Sequence, residues 1–303
     1  MQILITGGTG TIGRRLVHHL LQYGDVVKVV SRQEYKPANL PSKIIFAQWD
    51  GKTAAGWGNL VEGVDAVVNL AGAGLADSKW TEARKKEILE SRVNAGKAVV
   101  EAISAASVKP KVVIQASGKD YYGVHNNDQV ITEEHGPGND FLSQICQAWE
   151  ASTAPVEAMG VRQTIIRSSM VLDLQGGALP KMLLPFRFFA GGPIGSGKQW
   201  LSWIHYCDEV EAIRFLIQTN SASGPFNLTA PNSLRNRDFA KVVGKVMKRP
   251  ALAPAPGFVF KAVFGEMSTL LLNGQQAMPK RLQELGYQFQ FPQAEGALRD
   301  LLK

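Results

Sequence analysis

The residues with the clearest chemistry run from Thr6 to Gly13 and read Thr-Gly-Gly-Thr-Gly-Thr-Ile-Gly, between an apolar run at residues 2–6 and a helical pattern. Backbone N–H groups of such a turn and the positive end of the following helix bind phosphates. Gly7 allows the tight turn, Gly10 lets the backbone approach a pyrophosphate, and Gly13 permits close packing of the helix. The order strand, turn, helix predicts a dinucleotide site rather than an ordinary glycine-rich turn. The residues expected at the phosphates are Gly7, Thr9, Gly10, Thr11, Ile12 and Gly13.

The end of the second strand decides which dinucleotide is expected. Sites for NAD place an Asp or Glu about 20 residues after the glycines, where it accepts from the ribose 2′-hydroxyl. Here the strand ends Val29-Val30-Ser31-Arg32, with no carboxylate. A guanidinium pairs bidentately with phosphate oxygens, so Ser31 and Arg32 suit the 2′-phosphate of NADP(H), and Arg14 is placed to assist. The alternative is that Arg32 is an ordinary surface charge.

These residues lie in a chain that alternates strands with helices. Near-continuous apolar strands separated by helices predict a parallel sheet covered on both faces. The fold class expected is α/β, a Rossmann-type doubly wound parallel sheet with a smaller, mostly helical C-terminal substrate domain. The predicted strands are residues 2–6, 26–30, 44–49, 65–70, 112–116 and 161–167, and long helices are predicted at 81–106 and 141–159.

The residue composition changes after about residue 170, where glycines and prolines become frequent. We therefore assign residues 1–230 to the nucleotide-binding domain, with residues 170–205 contributing to the substrate lobe. Residues 231–303 form the C-terminal helical domain in this prediction.

The amino-acid composition limits the classes of function that the protein could have. The 303 residues carry a net charge of +7 and two cysteines. The first residues lack the pattern of a signal peptide and no apolar segment reaches membrane length, so we expect neither a signal peptide nor a membrane span. A nucleic-acid interface, a solvated helix surface and an anionic cofactor compete to explain the charge. The basic residues at 241–249 alternate with apolar ones, which indicates an amphipathic helix with a solvated face. We expect a soluble, cytoplasmic monomer or homodimer that binds a small-molecule substrate and neither nucleic acid nor membrane.

Several short motifs along the chain match a known family. They are Ser91-Arg92-Val93-Asn94, Asn69-Leu70-Ala71-Gly72, Lys79-Trp80-Thr81, Tyr121-Tyr122-Gly123, Trp149-Glu150, residues 195–199, 203–208, 224–227, Gly265-Glu266-Met267-Ser268 and residues 274–282. These motifs resemble the extended short-chain dehydrogenase/reductases, the NAD-dependent epimerase/dehydratase branch, and more narrowly the "epimerase family" proteins (YfcH-like). The resemblance runs from end to end and includes the small C-terminal domain of unknown function. It implies an NADP-binding fold with a poorly defined substrate, and some relatives have been linked to cell division.

Superfamily geometry implies further cofactor contacts. It places Asp50 at the adenine amino group and puts small residues where the backbone passes the cofactor ribose. For Asp50 the alternative is a loop aspartate in a tight turn. The residues implied in this way are Asp50, Leu70, Ala71, Gly72 and Asn94.

The usual catalytic residues of the superfamily are a Tyr and a Lys four positions later on one helix, with a Ser at the end of strand five. None of the six tyrosines has a lysine four positions on, and the matching helix positions hold Leu142 and Cys146. Ser117 remains at the expected serine position. Tyr122 is the candidate acid, with a pKa lowered by Lys119 or by the nicotinamide charge, and the alternative is a structural tyrosine under the loop.

Two other residues could be interpreted as catalytic, but structural roles are preferred for both. His205 and Asp208 resemble a catalytic pair, whereas Asp208 is expected to be a helix N-cap. No metal-ligand constellation emerges.

The leading hypothesis is an NADP(H)-dependent oxidoreductase or epimerase acting on a small polar or nucleotide-linked substrate. The competing hypothesis is an NADP(H)-binding regulatory or scaffold protein that has lost turnover together with the Tyr/Lys pair.

Overall fold

The computed structural model describes residues 1–303. Thirteen strands and ten α-helices form the chain. The strands are β1 (Gln2–Thr6), β2 (Val26–Ser31), β3 (Ile45–Gln48), β4 (Ala66–Asn69), β5 (Val112–Gly118), β6 (Val130–Ile131), β7 (Arg162–Ser168), β8 (Met170–Leu172), β9 (Trp200–Leu201), β10 (Trp203–His205), β11 (Gly224–Leu228), β12 (Leu234–Arg235) and β13 (Gln276–Ala277). The helices are α1 (Thr11–Gln22), α2 (Glu82–Ala105), α3 (Phe141–Ala151), α4 (Leu179–Arg187), α5 (Tyr206–Gln218), α6 (Asn236–Met247), α7 (Gly257–Phe264), α8 (Thr269–Leu272), α9 (Lys280–Glu284) and α10 (Ala294–Leu301).

Seven parallel strands form the central sheet in the order β11-β7-β5-β4-β1-β2-β3. The chain winds outward in both directions from β1, so β1 and β4 mark the point where the strand order reverses. Open α/β sheets bind ligands outside the carboxyl ends of the strands at such a point. The predicted Rossmann-type fold is confirmed, and β11 adds a seventh strand to the six predicted from apolar runs.

Alternating side chains of the inner strands build a core on each face of the sheet. Ile3 and Ile5 of β1 pack with the apolar sides of α1 and α5 on one face. Leu4 of the same strand packs on the other face with Val99 and Ile103 of α2. All three helices are therefore fixed relative to the strand ends, and they hold the residues between them in place.

The helix predicted over residues 141–159 is shorter than expected. Helix α3 begins after Asp140, whose carboxylate accepts from the Ser143 N–H at 2.9 Å, and it ends at Ala151. A 3-10 turn, Ala154–Met159, follows. Pro155 lies inside the predicted span, and a proline has no N–H to continue the α-helical hydrogen bonds.

The C-terminal region is held against the nucleotide-binding part by Asp208. The carboxylate of Asp208 accepts backbone N–H bonds from Gln290 at 2.8 Å and Phe291 at 2.9 Å. The prediction that Asp208 caps α5 is wrong, because the N-cap is His205, whose Nδ1 accepts from the Cys207 N–H. Within the C-terminal region α6 packs against α4 and α10. None of the helices has the length and apolar character needed to cross a membrane.

Candidate functional site

At two positions of the glycine-rich turn after β1, a residue larger than glycine does not fit. Gly7 has φ +71°, and a Cβ there would lie 2.8 Å from the carbonyl carbon and oxygen of Leu70. A Cβ on Gly13 would lie 2.3 Å from the carbonyl oxygen of Gly7. Both distances are far below van der Waals contact. The role of Gly13 is thus close packing of α1 against the turn itself, and any larger residue would displace that turn.

The first turn of α1 has the properties of an anion site. Its N-cap residue, Gly10, offers no side chain to bond the free N–H groups, and the first turn carries no acidic residue. Those N–H groups and the helix dipole are therefore available to a phosphate. Arg14 donates from Nη1 to the carbonyl of Thr9 at 2.9 Å, so it also fixes the turn.

Arg32 at the end of β2 is exposed and forms no ion pair or hydrogen bond with the rest of the chain. Its neighbour Ser31 is buried, and the Ser31 hydroxyl lies 3.3 Å from that of Thr9, which links the strand end to the glycine-rich turn. A Cβ on Gly51 would lie 3.1 Å from Cδ of Arg32, so the loop after β3 approaches the arginine stem. A guanidinium without a carboxylate partner fits a phosphate ligand.

Asp50 stabilises its own loop. Its carboxylate accepts from the backbone N–H of Thr53 at 2.9 Å and of Lys52 at 2.7 Å, and from the Thr53 hydroxyl at 2.8 Å. These bonds, the one from Thr53 first, hold the pKa of Asp50 below its ordinary value. The side chain is exposed. The adenine contact predicted for Asp50 stays a prediction.

The end of β4 is tied to its neighbours by buried polar groups. The Thr6 hydroxyl donates to Oδ1 of Asn69 at 2.5 Å, and Nδ2 of Asn69 donates to Oε1 of Gln115 at 2.8 Å. This chain of bonds crosses β1, β4 and β5 just below their carboxyl ends. It fixes the backbone from Leu70 to Gly72, where the cofactor ribose is expected. Asn94, on α2, is half-buried.

Ser117, at the end of β5, forms a hydrogen bond with a buried side chain. Its hydroxyl donates to Oε1 of Glu150 at 2.6 Å, and the side chains of both residues are buried. Glu150 also accepts two hydrogen bonds from Arg167 of β7, each 2.9 Å long. The serine therefore belongs to a polar network between β5, β7 and α3 and does not point into an open cleft.

Tyr122 extends the same network and does not have the predicted acid–base properties. It is 1% exposed, its hydroxyl donates to Oδ1 of Asn227 at 2.7 Å, and it accepts from Arg167 at 3.0 Å. Burial raises the pKa of Tyr122 to about 12, so the predicted lowering is wrong. Lys119, the expected cause of a lowering, bonds elsewhere. This geometry supports the structural interpretation of Tyr122.

The two helix positions of the usual catalytic pair are buried and apolar. Leu142 and Cys146 of α3 are 8% and 6% exposed. Burial raises the pKa of the Cys146 thiol to about 12, so it is neither a base nor a nucleophile near neutral pH. His205 is fully buried as the α5 N-cap, and burial lowers its pKa to about 4. Neither residue replaces the missing pair.

A charged pair at the end of β5 is the feature that the sequence analysis did not identify. Nζ of Lys119 lies 2.9 Å from Oδ1 of Asp120, and both side chains are partly exposed. Gln275 holds Lys119 in place with two hydrogen bonds. It accepts one from Lys119 Nζ at 3.3 Å and donates one to the Lys119 carbonyl at 2.6 Å. Adjacent opposite charges were visible in the sequence, whereas the Gln275 contact spans 156 positions of the chain and had no sequence signal.

An open cavity of about 410 Å³ lies between the Gly195-Ser196 loop and helices α7 and α8. Its wall ends at Asn273, two residues before Gln275. Phe258, Lys261 and Thr269 supply apolar, cationic and hydroxyl surface. A cavity of this size with mixed lining suits a small polar molecule or a nucleotide.

The fold and the glycine-rich turn define a dinucleotide-binding protein of the Rossmann class. The family model of the NAD dependent epimerase/dehydratase family matches residues 3–229, and that of a domain of unknown function, DUF1731, matches residues 255–301. The chain belongs to the NAD dependent epimerase/dehydratase family.

Similar proteins come from distant organisms. The epimerase family protein YfhF of Bacillus subtilis is 38% identical over 303 residues, covering 100% of this chain and 98% of YfhF. The chloroplastic SDR39U1 homolog of Arabidopsis thaliana is 38% identical, covering 100% of this chain and 87% of the plant protein. The crystal structure of human epimerase family protein SDR39U1 with NADPH superposes with a TM-score of 0.90 at 35% identity and covers 99% of both chains.

Proposed function

We propose that the protein is an NADP(H)-dependent oxidoreductase or epimerase of the extended short-chain dehydrogenase type. The observation that carries the proposal is the unpaired Arg32 at the end of β2, beside a turn that accepts only glycine at Gly7 and Gly13. The NADPH bound to the human relative supports the same cofactor. The substrate class is a small polar or nucleotide-linked molecule.

The chain's own residues would hold each part of the cofactor. The first turn of α1 after Gly10 would bind the pyrophosphate, Arg32 the 2′-phosphate, and the backbone from Leu70 to Gly72 the nicotinamide-side ribose. Bound NADP(H) supplies or accepts a hydride at its nicotinamide ring. The remaining requirement is a group that moves a proton at the substrate oxygen.

Lys119 and Asp120 are the groups we assign to that task. Both residues follow β5, which lies across β4 from the strands on the adenine side of the sheet. Both remain partly exposed, whereas Ser117 and Tyr122 are buried. The ammonium of Lys119 would bind the substrate oxygen and give it a proton during reduction, and Asp120 would hold the ammonium in place. Gln275 restricts the lysine to this position.

The test incubates the purified chain with NADPH or NADP⁺ and a panel of aldehydes, ketones and sugar nucleotides. Both NADPH absorbance and the products are measured, because an epimerase returns the hydride and consumes no net NADPH. The proposal expects measurable turnover with at least one substrate and its loss in Lys119→Met, while NADPH affinity stays unchanged. The matched control is Lys43→Met, an exposed lysine on the loop before β3.

Tight NADPH binding without turnover anywhere in the panel would favour the second candidate, a cofactor-binding regulatory protein. The apolar Leu142 and Cys146 at the positions of the usual catalytic pair are the observation that supports this candidate. Failure to bind NADPH would overturn both.

A further inference from the structure

An unpartnered apolar surface lies on α4, on the turn that follows it and on the loop after α6. Leu184, Phe188, Phe189 and Leu252 are 52%, 74%, 62% and 85% exposed. Isolated exposed apolar residues are ordinary, but four large ones on neighbouring segments indicate an interaction site. Helix α7 begins five residues after Leu252 and is almost entirely apolar, yet buries none of its eight residues.

The chain contacts show that these residues form one surface. The Ala253 N–H donates to the Gly191 carbonyl at 3.1 Å, which places the segment around Leu252 beside the end of α4. The Arg249 guanidinium lies 4.4 Å from the ring centre of Phe189. Phe189 has φ +61°, a backbone conformation that costs energy for a bulky residue. The turn therefore holds Phe188 and Phe189 outward rather than letting them fold back onto α4.

The same surface is strongly cationic. Residues 174–207 contain three lysines or arginines and residues 239–265 contain five, with no aspartate or glutamate in either segment. Lys241 and Lys245 pair with carboxylates from outside these segments. The six that form no ion pair are Lys181, Arg187, Lys198, Lys248, Arg249 and Lys261. The two segments that carry these exposed apolar side chains therefore have an excess of positive charge.

We propose that this apolar-basic surface, made by Leu184, Phe188, Phe189 and Leu252 with Lys181, Arg187, Lys248 and Arg249, binds the surface of an anionic lipid membrane. Apolar side chains enter the boundary between headgroups and acyl chains, and the flanking cations contact anionic headgroups. The sequence predicts no membrane partner because it has no spanning segment, but attachment to one surface needs none.

Charge and shape favour a lipid surface over the other occupants. A second copy docked on the same surface would bring like charges together, which opposes association. A folded acidic protein would need complementary shape, whereas these side chains stand at the end of α4 and on a loop with more than half of their area in solvent. A fluid interface adapts to separately protruding side chains and requires no groove.

The test is sedimentation of the full chain with vesicles of phosphatidylcholine alone or mixed equally with phosphatidylglycerol. We expect binding to the anionic vesicles, little to the neutral ones, and release at high salt. Phe188→Ser with Leu252→Ser should lower the partition coefficient at least about tenfold, because two large apolar side chains leave the lipid. Arg187→Glu with Lys248→Glu should lower it by about tenfold or more.

The control variant is Val108→Ser with Lys97→Glu, which changes an exposed apolar residue and an exposed cation on the nucleotide-binding part. Circular dichroism and a melting curve establish that each variant is folded. Absence of binding to anionic vesicles at low salt, or an equal loss in the control, would overturn the proposal. So would a dimer in solution that Phe188→Ser with Leu252→Ser dissociates, since a second copy would then cover the surface.

Discussion

Glu150 and Arg167 form a buried two-point ion pair directly behind the end of β5, with Nε to Oε1 and Nη2 to Oε2 both at 2.9 Å. Replacing Arg167 by Met would leave the Glu150 carboxylate buried without its cation. We expect a loss of about 3–5 kcal/mol in the free energy of unfolding, measured by urea denaturation. Lys86→Met, which breaks the exposed Lys86–Glu90 pair, should cost at most about 0.5 kcal/mol. Equal losses in the two variants would contradict the assignment.

Tyr122→Phe tests the structural role of this side chain. The hydroxyl bridges Asn227 and Arg167, so its removal leaves buried polar groups without a partner. We expect a stability loss of about 1–3 kcal/mol with unchanged NADPH affinity. Ultraviolet titration should show one fewer tyrosine ionising near pH 12 in the variant than in the wild-type protein, because burial also raises the pKa of Tyr206 to about 12. A Tyr122 phenolate near neutral pH would restore the acid–base hypothesis.

The sequence predicts the parts of this molecule that depend on local pattern. Apolar runs predict six of the seven strands of the central sheet, and the glycine spacing predicts the turn, because both follow from residues adjacent in the chain. The partners of Ser117 and Tyr122 could not be predicted, because Glu150, Arg167 and Asn227 come from separate elements. Burial then reverses the expected pKa direction of Tyr122, since desolvation acts through the surrounding fold.

Buried Glu209 should make stability depend on pH. Glu209 lies on α5 and is fully buried, and its Oε1 accepts from the Ser168 hydroxyl at 2.6 Å. Burial raises its pKa from 4.5 to about 8. Between those values the folded state holds a proton that the unfolded state has lost, so this contribution to stability falls as pH rises. His205, with its pKa lowered from 6.5 to about 4, acts in the opposite direction only below pH 6.5.

The window from pH 6.5 to 8 therefore isolates Glu209 from His205. In that window the wild-type protein should lose up to about 1.4 kcal/mol per pH unit relative to Glu209→Gln, which stays neutral and keeps the Ser168 bond. Asp208 and Glu133 also have raised pKa values, because of burial, but act equally in both proteins. Glu90→Gln, an exposed control, should keep the wild-type slope, and parallel curves for wild type and Glu209→Gln would refute the assignment.

Gly13→Ala should abolish NADPH binding. Its Cβ would meet the Gly7 carbonyl at 2.3 Å, so the turn that we propose binds the pyrophosphate must move. We expect at least about a hundredfold loss of affinity by fluorescence titration, equivalent to about 3 kcal/mol. The control is Gly136→Ala, where a Cβ meets nothing within 4 Å and the affinity should stay unchanged. Wild-type affinity in Gly13→Ala would place the cofactor elsewhere.

The most direct test of the account is the affinity for NADPH and for NADH, measured by calorimetry on the wild-type protein and on Arg32→Ala. If Arg32 binds the 2′-phosphate, the wild-type protein prefers NADPH at least about tenfold. Arg32→Ala then weakens NADPH binding by about 1.5–3 kcal/mol and leaves NADH binding unchanged. Equal affinities for the two cofactors in the wild-type protein, or an Arg32→Ala variant that keeps the preference, would contradict the assignment of Arg32 to the 2′-phosphate of NADP(H).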